Sequence, residues 1–438
     1  MSHQKRPPAM IEQAVILTES FRGPSAAEAP LLRVATMPIL LRSILTAQKI
    51  GASKFLVVAD QHRVGQFRHV VEQHRRWPQG VQWLTLAEDD RSLNAILQKI
   101  VGLVDNQFLL LPGTATFDAR LLDVIKSPDG DSALALRVAD QPTGIYRFSR
   151  RAAMVVAQQA PPLYSLNDLE SWLEQRRLLK RTDADATFWQ PINSPSDVPQ
   201  AEAKLDRWLF KETDGIYARL NRKVSIPISR LLIRTRITPN MVSVFALLVS
   251  MASGLFFAMG GYVNNLIGAA LSHLTCILDG TDGEVARLTF QESEFGCWLE
   301  TVCDYLYYVF LFSGMVIGMM RHSESLFYPI TGGFLLFGVV LSSLTIGYQR
   351  RRVAKDRPEK FGKQWEEKME AHQATNPILR MARHLYFLLR RAFVPYAVMA
   401  FALINFLEFI LVTSAIAANI AWMVSLYSNH FFQRERAA

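Results

Sequence analysis

Four acids carry the chemistry: Asp279, Asp282, Glu300 and Asp304, within the segment DGTDGEVARLTFQESEFGCWLETVCD at 279–304. They stand inside a long apolar stretch, where a carboxylate is expensive unless it pairs, binds a metal or faces a wet cavity. Asp279 and Asp282 are spaced i,i+3 and Glu300 and Asp304 i,i+4, so each pair occupies one face of a helix. The polar residues at 289–293 can turn the chain back, and two antiparallel helices would then aim both pairs into one gap. Hard oxygen donors converging in a low-dielectric pocket suit one or two Mg²⁺ ions, with phosphate oxygens completing the shell. The alternative is a charged helical hairpin that lines an ion path or pairs with Arg287.

The elements that must hold these acids are apolar helices. Pro239–Met259 is long enough to cross a bilayer, about 30 Å as a helix. Val263–Arg287 carries Asp279 and Asp282 near its far end, Phe295–Met320 carries Glu300 and Asp304 near its start, and Leu326–Tyr348 follows. The run Ala392–Tyr427 has room for two shorter spans with a turn near Phe406–Phe409, which makes six in all. Pro239 sits at an early helical position, and Asn240 is expected to cap that helix, with contact to substrate the alternative. Before it, Ile226–Ile237 alternates apolar residues at helical spacing with arginines, as an interfacial amphipathic helix would. Positive-inside flanking charge accounts equally well for most of these arginines. Arg230 and Arg234 are candidates for a substrate phosphate, because the guanidinium suits bidentate recognition. The basic segments at 214–236 and 349–391 point to the cytoplasmic side, with both termini there.

Composition agrees. The 438 residues are 50% hydrophobic, unevenly spread, with a formal net charge of +9 crowded beside the apolar spans. That favours an anionic bilayer surface and phosphate substrates; no nucleic-acid motif stands out. Cys276, Cys297 and Cys303 offer neither a disulfide framework nor metal-ligand spacing and read as small hydrophobes. The first half is different in kind. Strand-like runs at 13–19, 54–59, 82–86, 107–111 and 132–137 alternate with helix-like runs at 38–50, 91–103 and 117–125, the pattern of a parallel α/β sheet.

The acid segment resembles the signature of the CDP-alcohol phosphotransferases (CDP-alcohol phosphatidyltransferases), D-x2-D-G-x2-A-R-x8-G-x3-D-x3-D. Here its positions are Asp279, Asp282, Gly283, Ala286, Arg287, Gly296, Glu300 and Asp304, at matching spacings, with Glu300 where the family has Asp. The resemblance implies that Asp279, Asp282, Glu300 and Asp304 bind Mg²⁺ (or Mn²⁺) and that Asp304 also serves as the base. It implies that Gly283, Ala286, Arg287 and Gly296 line the nucleotide, and that the protein is a homodimer.

The first half resembles the sugar-phosphate nucleotidyltransferases, a Rossmann-like fold, with departures. TESFRGPS, with Arg22 and Gly23, stands in place of the glycine-rich phosphate loop, Ala29 in place of the lysine, and Thr114 and Asn193 in place of the metal-binding acids. Without those groups, activating a nucleoside triphosphate is hard to explain, so this domain is expected not to catalyse nucleotidyl transfer. Asp118, Asp123 and Asp185 read as surface acids or caps rather than replacement ligands. The fusion resembles the bifunctional inositol-1-phosphate cytidylyltransferase/di-myo-inositol-phosphate-phosphate synthases. The expected organisation is an α/β nucleotidyltransferase-type cytoplasmic domain at 1–200, a linker with the interfacial helix at 201–237, and an all-α six-span transmembrane bundle at 238–438. The expected function is transfer of a substituted phosphate from a CDP-alcohol donor to an alcohol or lipid acceptor, with release of CMP, by a multi-pass protein of the cell membrane. A CDP-diacylglycerol-dependent synthase and a non-catalytic membrane scaffold are the alternatives.

Overall fold

The computed structural model describes residues 11–19, 21, 28–87, 90–125, 130–211, 214–353 and 392–437. The chain divides into two compact units, Met1–Leu209 and Phe210–Ala438.

The first unit runs β1 (Gln13–Leu17), β2 (Arg33–Val34), β3 (Met37–Pro38), α1 (Ile39–Lys49), β4 (Lys54–Asp60), α2 (Val64–Glu72), β5 (Val81–Leu86), α3 (Leu93–Ile100), β6 (Gln107–Pro112), β7 (Ala115–Phe117) and α4 (Ala119–Ile125). It continues with β8 (Ala133–Val138), β9 (Gln141–Ser149), α5 (Arg150–Gln159), α6 (Leu166–Gln175), β10 (Leu179–Asp183), β11 (Trp189–Pro191) and α7 (Val198–Trp208). Seven strands form one sheet in the order β10-β8-β9-β6-β1-β4-β5. The continuous apolar runs of β1, β4 and β6 are buried, as parallel strands covered on both faces must be.

The sheet is mixed rather than parallel throughout. β9 runs antiparallel to both β6 and β8. The cause is local: Ala139 and Asp140 both take positive φ, closing a two-residue hairpin whose twist suits antiparallel strands. Phe148 of β9 then stacks on Phe108 of β6 at 5.9 Å, and with Tyr146 they help fill the core between the sheet and α3, α5 and α6.

The second unit is helical: α8 (Ile216–Leu232), α9 (Pro239–Met259), α10 (Tyr262–Leu288), α11 (Glu294–His322), α12 (Phe327–Val353), α13 (Val394–Leu403) and α14 (Leu407–Ala437). Among the described residues four helices, α9, α11, α12 and α14, are long and apolar enough to cross a membrane. The expectation of six spans is therefore met only for these four. At 27 residues, or about 40 Å, α10 has the length, but its acids and Arg287 dilute its hydropathy. At 10 residues, α13 covers only about 15 Å of a ~30 Å hydrocarbon core.

The centre of this unit is α9. Both α10 and α11 pack along it, whereas direct contact between α10 and α11 is sparse among the described residues. Close approach is made by glycines: a Cβ on Gly254 would lie 2.5 Å from the Phe310 carbonyl oxygen, and one on Gly314 would collide with the Gly254 carbonyl. A hydrogen bond between the Ser272 and Tyr307 hydroxyls (2.7 Å) ties α10 to α11. Farther along the unit, Asn419 Nδ2 of α14 donates to the Phe334 carbonyl of α12 at 2.9 Å, and Gln349 Nε2 donates to the Ser425 carbonyl at 2.8 Å.

Candidate active site

The reversal between the acid pairs is built from its own residues. The Gln291 N–H donates to the Ala286 carbonyl at 2.8 Å and Phe290 takes a positive φ, which closes the end of α10. Ser293 caps α11 by accepting from the Gly296 N–H at 3.0 Å. α10 and α11 each lean on α9 and touch each other sparsely, and the Ser272–Tyr307 bond joins them.

Asp282 is the most enclosed of the acids, 5% exposed. Ser243 of α9 donates to it in a short contact, as does the Gly283 N–H. Asp279 and Glu300 stand close enough to act on Asp282 electrostatically, so carboxylates of α10 and α11 share one field. Asp279, Glu300 and Asp304 are half-buried, with Asp304 one turn farther along α11 than Glu300. Among the described residues no three acid, histidine or cysteine side chains converge tightly enough to hold an ion by themselves. The donor set is nonetheless of the right kind: buried and half-buried carboxylates that repel one another are stabilised by a divalent cation.

The glycines of the segment keep space open. A Cβ on Gly283 would sit 3.2 Å from Arg287 Nη1, and one on Gly296 would sit 3.2 Å from Asn240 Oδ1 and 3.1 Å from Ser293 Oγ. Ala286 is half-buried beside them. Arg287 Nε is buried with no hydrogen-bond partner among the described residues. Arg230 is half-buried in the last turn of α8, and Arg234 is exposed just beyond it.

Two local expectations need correction. Thr238, not Asn240, caps α9, accepting from the Met241 N–H at 3.4 Å; Asn240 instead faces Gly296. The amphipathic helix is α8 at 216–232, not 226–237, because the chain breaks helix at Ile233 before Thr238 starts the next. Its buried face is the polar one. Glu284 of α10, fully buried, accepts from Arg222 Nη1 at 3.0 Å and from the Ser225 and Ser229 hydroxyls at 2.6 Å each. Arg222 also donates to Asp214, through Nη2 at 3.2 Å and a shorter Nε contact. The outer face presents Ile216 (70% exposed), Leu220, Val224 and Leu231 (66%) among Arg219 and Lys223. Sequence reasoning missed Ser243, Glu284 and this polar face. The signal was present in Arg222, Ser225 and Ser229, whose spacing puts them on one side of a helix.

In the first unit, Thr114 and Asn193, the residues expected where the resembled family places metal-binding acids, come together. The Ile192 N–H donates to the Thr114 carbonyl at 2.9 Å, which sets Asn193 beside Thr114. Asp185 caps a short turn by accepting from the Thr187 N–H at 2.8 Å, Asp118 accepts from Arg120 at 2.8 Å, and Asp123 is exposed. Arg22 and Gly23 lie outside the described residues.

Residues 236–426 match the family described as CDP-alcohol phosphatidyltransferase. The protein is therefore a transferase that takes a CDP-alcohol donor and an alcohol acceptor; use of a divalent cation and a membrane location go with that class. Its relatives include a bifunctional IPC transferase and DIPP synthase of Aquifex aeolicus, 28% identical over 342 residues, covering 69% of this chain and 76% of the relative. The corresponding protein of Thermococcus kodakarensis is 24% identical over 327 residues, covering 67% and 73%. Among solved structures, the inositol-1-phosphate CTP transferase from T. maritima aligns at 15% identity and a TM-score of 0.37, over 45% of this chain and 97% of that one.

Proposed function

We propose that the protein joins a CDP-linked polyol, of the inositol class, to an acceptor alcohol at the cytoplasmic face of the membrane, with Mg²⁺ as its metal. The observation that carries this reading is that acids of α10 and α11, helices in sparse direct contact, act on one another electrostatically, which we read as a carboxylate-lined gap between them. Asp279, Asp282, Glu300 and Asp304 would hold the cation, whose chemistry is to neutralise the pyrophosphate and stabilise the departing CMP. Ser243 fixes the Asp282 carboxylate, as outer-shell donors fix metal ligands. Gly283, Ala286 and Gly296 admit the nucleotide close to the backbone, and Arg287 faces its phosphate. Asp304 takes the proton of the acceptor hydroxyl as the acceptor oxygen bonds to phosphorus and the bond to CMP breaks. Arg230 and Arg234 are secondary phosphate contacts.

The names of the relatives support the inositol class. A CDP-diacylglycerol donor is the second reading, favoured by the membrane-length helices that surround the site. For the whole chain we propose six spans, with α10 and α13 joining the four long ones. Both termini lie in the cytoplasm, α8 lies against an anionic leaflet, and two copies form a homodimer. The first unit, with Thr114 and Asn193 at the positions of metal ligands, binds or scaffolds rather than transfers nucleotide.

The test is CMP release by purified full-length protein with Mg²⁺ and labelled CDP-inositol or CDP-diacylglycerol. Release that disappears in Asp304→Asn supports the enzyme; no release with either donor sinks it in favour of a scaffold.

A further inference from the structure

Outside the signature, three cations share one neighbourhood of the second unit: Lys211, Arg222 and Arg287. Their partners are unequally distributed. Arg222 is bonded to two carboxylates, Asp214 and Glu284, and is neutralised by them. The side chains of Lys211 and Arg287 donate no hydrogen bond to another described residue. Both lie within electrostatic reach of Glu300. Two such cations beside the acids proposed to hold a divalent cation would suit a polyanionic substrate, with the divalent cation neutralising part of its charge.

The position of Lys211 is built, not incidental. Its N–H donates to Asp214 Oδ2 at 2.9 Å, and the Asp214 N–H donates back to its carbonyl at 3.0 Å, which makes a tight turn. Asp214 is gripped by Arg222, Arg222 by Glu284, and Glu284 by Ser225 and Ser229. This relay runs from the turn to the middle of the signature, where Glu284 directly follows Gly283. We propose that Lys211 contacts a substrate phosphate at the mouth of the carboxylate gap, and that Glu284 is a positioning residue that holds it there through Arg222 and Asp214. The proposal rests on the reading of the gap as the transferase site. Lys211 is exposed along part of its length. Desolvation, then Arg287 and Arg222, lower its pKa, against Glu300 and Asp214. Such a group gains from an arriving phosphate.

The phosphate could belong to the donor or to a phosphorylated acceptor, and binding separates the two. Full-length protein in lipid nanodiscs with Mg²⁺ is titrated with CDP, with inositol 1-phosphate and with cytidine. Lys211→Met is expected to weaken by about tenfold or more the ligand whose phosphate Lys211 holds, and to leave cytidine unchanged. Weakened CDP binding assigns the donor, and weakened inositol 1-phosphate binding assigns the acceptor. Lys211→Arg should restore most of the loss, and Glu284→Gln should weaken the same ligand as Lys211→Met. Wild type that binds these ligands while Lys211→Met binds them equally overturns this inference alone. Wild type that binds neither phosphate ligand overturns the site reading together with it.

Discussion

The Ser243 hydroxyl is bonded to Asp282, the most enclosed of the acids proposed to hold the metal. The hydroxyl donates to a carboxylate that is 5% exposed and already repelled by its neighbours. Removing it in Ser243→Ala leaves the charge but not its orientation. The expected result is a roughly 10–100-fold rise in the Mg²⁺ concentration needed for half-maximal CMP release, with a smaller loss at saturating metal. Asp304 has a different part. In the proposed mechanism Asp304 is the base; Asp304→Asn keeps its size, so kcat should fall by about 10²–10⁴-fold while CDP binding changes little. Single-turnover kinetics beside a CDP titration separates the two effects. Gly283 is constrained by space: a side chain there would crowd the Arg287 guanidinium at 3.2 Å, and Gly283→Val should weaken CDP binding without unfolding the helix.

At the scale of elements, α8 is held to α10 by charge and hydroxyls rather than by apolar packing. Cutting the relay at its buried end, in Glu284→Ala, leaves Arg222 with one carboxylate fewer in a buried setting. Such a loss costs about 3–5 kcal/mol, readable as a lower unfolding midpoint in detergent. The other end of the relay titrates. Burial pushes the Asp214 carboxyl up, but the Arg222 bonds, the Lys211 N–H and the nearby cations prevail and hold it below its ordinary value. A depressed acid adds stability that is full above the unfolded-state pKa and disappears as pH falls through the folded value. The stability difference between wild type and Asp214→Asn should therefore be constant near neutrality and shrink below about pH 4. An unfolding series against pH checks it; a difference that stays constant to pH 2 would show that the charge on Asp214 does not matter.

For the molecule as a whole, the two units are expected to differ in chemistry. Full-length protein carrying Asp304→Asn, given CTP and inositol 1-phosphate, should make no CDP-inositol and release no pyrophosphate, because Thr114 and Asn193 cannot hold a metal as carboxylates do. Formation of CDP-inositol by that variant would overturn the reading of the first unit. The proposed orientation is equally exposed to test. A cysteine placed at Ser323, in the short connection between α11 and α12, should react with a membrane-impermeant maleimide only from outside the cell, and one at Arg234 only from inside.

By itself, the sequence determined the transferase class and the division of the chain into an α/β half and a helical half. Carboxylates at i,i+3 and i,i+4 in an apolar run admit few explanations, because burying them unpaired costs too much, and the apolar runs of β1, β4 and β6 can only be covered strands. What the tertiary structure alone decided are the relations between residues far apart in the chain. Ser243 meets Asp282 only because α9 is the helix on which α10 and α11 both lean. Glu284 meets Arg222 only because α8 turns its polar side inward. The antiparallel β9 follows from two positive-φ residues, Ala139 and Asp140, whose types do not announce that conformation. Periodicity reports which side of an element is apolar; it carries no information about which distant side chain satisfies a buried charge, and that pairing appears only when the helices have packed.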